Sequence, residues 1–307
     1  MMTPASVSED ARAGTRISPA LVLVVGVMAA SLSPILIRYA SPQEGGVAEP
    51  LAISFWRCFA GALILLPFAI AARGSRDGTG IKASLIAGLF LAVHFATWIT
   101  SLELTTVAAS VLLVSTTPIF AALTARYLFR ERLTGAVWAG VILSFVGSAV
   151  IGGGDFEGSS LSGDALALTG GAAAAGYVLA GQAARRTMGI LDYAVIAYGL
   201  SAAVLAIACV VGAVPLWGFP ARTWWAIAGV VIGPQLLGHT LINFALKDID
   251  ATTVTVSFMA EPIIATFLAM VLFDEVPSAL LYPGGVAILI GIYLVSTARR
   301  PEAIVTE

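Results

Sequence analysis

The sequence predicts an all-α membrane protein of ten transmembrane helices arranged as a 5+5 inverted repeat. Three observations lead there. The 307 residues are 59% hydrophobic and only 11% charged, against about 25% charged in soluble domains, and the mean hydropathy is +0.95. Ten apolar stretches approach the roughly 20 residues needed to cross a bilayer core. Finally, residues 102–133 and 246–277 repeat one another at an offset of 144. Pro118 falls on Pro262, Phe129 on Phe273, Glu131 on Glu275, Gly140 on Gly284 and Gly147 on Gly291. Internal repetition of this kind in a membrane chain is a signature of transport proteins.

In order, the expected spans are 19–40, 50–72, 81–101, 106–128, 134–152, 162–184, 192–213, 222–244, 250–273 and 277–297. Residues 1–18 are polar, with Arg12 and Arg16, and form a tail. The run that follows exceeds the 7–15 apolar residues of a signal peptide, so it is read as a retained first span. Breakers separate the spans: Gly45 and Gly46, Gly78, Gly152 to Gly154, Pro215 and Pro220. The fourth and ninth spans nearly abut their successors. Arg130, Arg132, Asp274 and the two Phe-x-Glu exits predict breaks there. The domain reading is a tail (1–18), a first repeat (19–152), an external connector (153–161), a second repeat (162–297) and a tail (298–307).

Direction follows from the basic residues. With the N-terminus in the cytoplasm, the inner side holds Arg12, Arg16, Arg73, Arg76, Lys82, Arg126, Arg130, Arg132, Arg185, Arg186, Lys247, Arg299 and Arg300. Arg222 alone falls outside, and Arg38 and Arg57 lie in or at the edge of spans. Both termini are then cytoplasmic, in a multi-pass protein of the plasma (inner) membrane. Five spans per half is an odd number, so the second copy enters the membrane in the opposite direction. That symmetry supplies two near-equivalent packings, the basis of alternating access.

Several groups of residues carry a family likeness. They are 52–62 (AISFWRCFAGA) in the second span, Thr117-Pro118 and Glu261-Pro262 in the fourth and ninth, and the exits Phe129-Arg130-Glu131 and Phe273-Asp274-Glu275. Together they resemble the EamA family of the drug/metabolite transporter superfamily, over about residues 19–297. The resemblance implies a ten-helix carrier of small metabolites, commonly amino acids or their relatives, often exported. It also implies a central cavity lined by helices of both halves, with the fifth and tenth spans peripheral.

Polar groups inside a membrane face a cavity or a partner, because leaving them in lipid is costly. Arg57 lies about 12 Å into the second span at 1.5 Å per residue. It either captures a substrate carboxylate or phosphate or makes a structural bond. Arg38, at an outer helix end, reads as a snorkelling residue. Glu261 sits mid-span before Pro262, where its repeat mate is Thr117. It is the candidate for proton coupling or for pairing with a substrate amine, the alternative being a bond to a carbonyl that the proline frees. Pro118 and Pro262 should kink their helices. His94 and His239, offset by 145 rather than 144, are candidates for the polar ends of one cavity. Trp98 and Asn243, one turn beyond them, share their faces. Gln235 and Gln182 are weaker candidates, Tyr39, Tyr177 and Tyr198 fit either a cavity or an interfacial belt, and Glu131 and Glu275 read as structural.

Secondary transport of a small molecule, not enzymatic chemistry, is the function these features favour. The expected partners are that molecule and the lipid bilayer, and a homodimer is left open. Mixed apolar and aromatic spans (Phe55, Trp56, Trp98) with Arg57 suit amino-acid export or exchange. Multidrug efflux is the alternative, with Glu261 as its single acid. A phosphorylated cargo would need more converging cations. A channel is a further alternative, and a lipid enzyme would need clustered His and carboxylates that the sequence lacks. There is no P-loop, no metal motif, no cofactor signature and no basic stripe for nucleic acid. Cys58 and Cys209 lie in apolar runs as small hydrophobes.

Overall fold

The structure is a computed structural model describing residues 18–42, 45–72, 74, 77–105, 107–128, 130, 132–152, 160–273 and 279–298. The Glu131, Asp274 and Glu275 exits, most of both tails and most of the connector lie outside these residues. Among the described residues, the apolar stretches fall on single helices or on broken series of helices. They are α1 (Pro19–Ala30) and α2 (Ser33–Ala40), α3 (Pro50–Ala72), α4 (Gly78–Leu104), α5 (Val107–Val114) and α6 (Thr117–Tyr127), then α7 (Gly135–Gly152). The second half follows with α8 (Leu161–Arg185), α9 (Ile190–Val211), and α10 (Ala221–Val230) running through a π-helical stretch (Val231–His239) into α11 (Thr240–Ala245). It ends with α12 (Ala251–Ser257), a 3₁₀ turn (Phe258–Ala260), α13 (Glu261–Phe273) and α14 (Leu281–Thr297). Six of these segments are long and apolar enough to cross a membrane, and three apolar helices are shorter.

Local chemistry sets the helix starts. Asp77 accepts the Gly80 N–H at the head of α4, and Ser160 accepts the Gly163 N–H at the head of α8. Asp250 accepts both the N–H and the hydroxyl of Thr253 at α12. These caps satisfy donors that the first helical turn leaves free.

Proline sets the breaks. Pro34, Pro118 and Pro262 each stand at the second residue of a new helix, and Pro234 lies inside the π-helical stretch. Pro118 cannot donate to the Val114 carbonyl four residues back. The Thr117 hydroxyl donates to it instead, at 2.7 Å, while Ser115 and Thr116 bond Val111 and Leu113. At Pro262 the equivalent carbonyl is that of Phe258, and the backbone N–H of Glu261 takes it in the tighter 3₁₀ step.

Packing is inverted relative to a soluble protein. Leu21, Leu63, Phe68 and Ile290 are exposed, whereas Arg57, Gln235 and Asn243 are fully buried. The glycines of the repeat bring α7 and α14 into backbone contact. A Cβ at Gly140 would meet the Gly291 carbonyl oxygen at 2.7 Å, and one at Gly147 would meet the Gly284 oxygen at 2.6 Å. The pairing is antiparallel, since the lower number of one helix meets the higher number of the other. Small residues at such crossings let membrane helices approach closely. Cys58 and Cys209 are buried free thiols, and Cys58 lies 3.3 Å from the Ser201 hydroxyl.

Candidate substrate cavity

The helix interruptions converge. A cavity of about 700 Å³, measured to its open mouth, is lined by Ala30 and Ser33 at the α1–α2 break and by Val114, Ser115, Thr117 and Pro118 at the α5–α6 break. His239 at the end of the π-helical stretch and Thr255, Phe258, Met259 and Glu261 around the 3₁₀ turn complete that side. Two unbroken helices supply the rest: His94 and Trp98 from α4, and Ala174, Tyr177 and Val178 from α8. Irregular backbone is tolerated at membrane depth only where protein or a cavity satisfies it.

Most of the wall is apolar, so the few polar groups define it. The Glu261 side chain makes no hydrogen bond or ion pair among the described residues, and its backbone N–H serves the Phe258 carbonyl. His94 Nδ1 donates to the Gly170 carbonyl at 2.9 Å, which fixes the imidazole tautomer. Its ring stacks on Trp98, with centroids 5.6 Å apart and planes 7° off parallel. The Trp98 indole N–H and His239 Nδ1 are buried without hydrogen-bond partners among the described residues.

Arg57 stands behind the wall. Its Nε donates to Gln235 Oε1 at 3.0 Å and its Nη1 to the Ser33 hydroxyl at 3.3 Å, while the guanidinium lies 3.7 Å from the centre of the Phe95 ring. It is fully buried and is not among the lining residues, so direct capture of cargo by Arg57 has no path in this conformation. Ser33, which it bonds, carries its influence to the surface of the cavity.

Asn243 is also behind the wall. Its Nδ2 donates to the Tyr177 hydroxyl and to the His239 carbonyl, and Tyr193 donates to its Oδ1 at 3.3 Å. Arg185 extends the network by donating to the Asn243 carbonyl at 3.1 Å and to the Met188 carbonyl. Of the candidate residues, His94, Trp98, His239, Glu261 and Pro118 therefore meet on one cavity, while Arg57, Asn243 and Pro262 support it. The residue 144 beyond His94 is Gly238, which packs closely on Ala30. His239, one place further, turns to the cavity instead. Ser33, Phe258 and Met259 were not singled out from sequence, although Pro34 beside Ser33 was a readable break signal.

Interrupted helices around an open, largely apolar cavity fit a membrane transport protein. The chain matches the EamA-like transporter family twice, over residues 17–153 and 161–297, and belongs to that family. A solved crystal structure aligns with it at a TM-score of 0.75 and 20% identity, covering 92% of this chain and 97% of the other. That likeness establishes the fold. No curated protein gives a match.

Proposed function

We propose that the protein is a secondary transporter of small metabolites, amino acids or related amines, working by alternating access in the plasma membrane with both termini in the cytoplasm. The single observation that carries the reading is Glu261: a carboxylate without a hydrogen bond or ion pair among the described residues, on the wall of a cavity where four helix breaks meet. A substrate amine or a proton can neutralise it there. The halves are read as five spans each, inverted. Supporting this, Gly140 meets Gly291 and Gly147 meets Gly284, and the 144-residue offset exchanges these two contacts. Such an exchange is what a two-fold relation requires. Antiparallel pairing sets that axis across the helices, hence in the membrane plane.

A second reading, efflux of apolar organic cations, is favoured by the largely apolar and aromatic wall with a single acid. Uptake of labelled amino acids into proteoliposomes, with unlabelled amino acid preloaded, tests the first. Saturable uptake accelerated by preloading supports a carrier of that class. Its absence, with saturable uptake of organic cations, moves the function to the second reading.

A further inference from the structure

Resting on the carrier reading, we propose that Asn243 and Arg185 form a latch across the end of the cavity that the basic residues place in the cytoplasm. The residues at the matching places of the other end cannot form one. The empty carrier therefore rests shut toward the cytoplasm and accessible from outside.

Glycine contacts group the cavity helices into two pairs. Gly163 and Gly170 of α8 press on Thr105 just past α4 and on Trp98 within it, where a Cβ would stand 2.7 and 3.0 Å away. Gly26 of α1 presses likewise on Ile242 of α11, at 2.8 Å, and Gly229 of α10 on Leu36 of α2, at 3.1 Å. The pairs correspond: 144 residues separate Gly26 from Gly170 and Trp98 from Ile242. Ala30 with Ala174, Ser33 with Tyr177 and Thr117 with Glu261 stand at the same offset, and all six line the cavity. Rocking one pair against the other opens one end of the cavity as it closes the other. With identical halves the two states would be equal in energy, so unequal side chains at matching places set the preference.

At the cytoplasmic end, hydrogen bonds join α8 of one pair to α11 of the other. Asn243 Nδ2 donates to the hydroxyl of Tyr177 and to the carbonyl of His239, both residues of the cavity wall. Arg185 donates to the Asn243 carbonyl at 3.1 Å and to the Met188 carbonyl just beyond α8. Tyr193 of α9 donates to Asn243 Oδ1 at 3.3 Å. Arg185, Tyr193 and Asn243 are all buried. Gly181 makes room for them, since a Cβ there would meet the Tyr193 hydroxyl at 2.7 Å.

At the other end the matching places lie on α2 and α4. Ser41 stands for Arg185, Ile99 for Asn243 and Ile37 for Gly181. The Ile99 side chain has no hydrogen-bonding group, and Ser41 donates to the Arg38 carbonyl at the end of its own helix, at 3.2 Å. In place of a filled network there is a pocket of about 330 Å³, measured to its open mouth, whose walls include Ile37, Arg38, Ser41, Ile99, Leu102 and Glu103. Opening the cytoplasmic end must break bonds between buried groups and leave them unmatched, which is costly. Opening the other end parts Ile37, Ile99 and Leu102, whose side chains make no such bonds.

Thiol labelling from each side tests this. Ala174→Cys places a small reporter on the cavity wall, and the parent, whose Cys58 and Cys209 are buried, gives the blank. A membrane-impermeant thiol reagent is applied, without cargo, to right-side-out and to inverted membrane vesicles. Ala174→Cys should label about tenfold faster from outside. Asn243→Ile installs the residue of the opposite end, and added to Ala174→Cys it should bring the two rates within about twofold. Equal rates before that change, a faster rate from the cytoplasmic side, or a preference that survives Asn243→Ile would overturn the proposal. If Asn243→Ile fails to fold, Tyr193→Phe removes a single bond and should lower the preference about threefold. An unchanged preference there overturns the latch equally. Labelling from one side alone in every variant, with no saturable uptake of amino acids or organic cations, is a different failure: it removes the carrier reading itself, and the latch with it.

Discussion

Ser144 and Ile288 are the same position in the two halves of the chain, and they touch: the Ser144 hydroxyl donates to the Ile288 carbonyl at 3.4 Å. A residue in contact with its own counterpart is what the proposed two-fold relation requires on its axis. Gly140 with Gly291 and Gly147 with Gly284 flank it on either side.

The first prediction follows from that crossing. In Gly291→Ala the new methyl would meet the Gly140 carbonyl oxygen at 2.6 Å and crowd Ser144. Overpacking of this kind costs about 1–3 kcal/mol, and Gly140→Ala should cost a similar amount. Thermal unfolding of the purified variants measures it. Unchanged midpoints would show that the helices stand further apart.

Arg57 should act on stability more than on cargo. Arg57→Lys loses the fork that holds Gln235 and Ser33 together, leaving buried polar atoms unmatched at a cost of about 1–3 kcal/mol. KM should change by less than threefold. A tenfold rise in KM with an unchanged melting midpoint would place the guanidinium on the cargo.

Pro118→Ala restores a donor four residues beyond Val114 and competes with Thr117 for that carbonyl. The break between α5 and α6 should close, raising the unfolding midpoint while slowing turnover severalfold at nearly constant KM. Stopped-flow uptake alongside a melting curve separates the two effects. Faster turnover would refute a mechanical use of the break.

Glu261→Gln keeps the shape of the side chain and removes its titration. Uptake driven by an imposed pH gradient should fall to the ungraded rate, and KM for amine-bearing cargo should rise at least tenfold, about 1.4 kcal/mol. A variant that still responds to the gradient would move coupling elsewhere, with His239 the next group to substitute.

Much of the fold was legible because a bilayer allows few solutions: apolar stretches of sufficient length become helices. The candidate site was legible in part. His94, Trp98, His239 and Glu261 stand out as polar or amphipathic groups in apolar runs, and the structure gathers them on one cavity. Arg57 and Asn243 stand out for the same reason, yet they face other buried groups. Sequence periodicity cannot tell a cavity from a polar partner on the next helix. Ser33 and Thr255 were invisible for the opposite reason: small hydroxyls recur throughout membrane helices, bonded to the preceding turn. The offset of 145 between the histidines was a real signal that they are not counterparts, since Gly238 occupies the matching place.

The bond from Thr117 to the Val114 carbonyl has a mechanical meaning. A hinge that exposed a bare carbonyl to hydrocarbon at each swing would have an energy barrier set by its own backbone. Here the hydroxyl on the residue just before the proline covers the Val114 carbonyl and also donates to the Gly171 carbonyl of α8 at 3.1 Å, so the break leaves no bare acceptor and is stitched to the helix beside it.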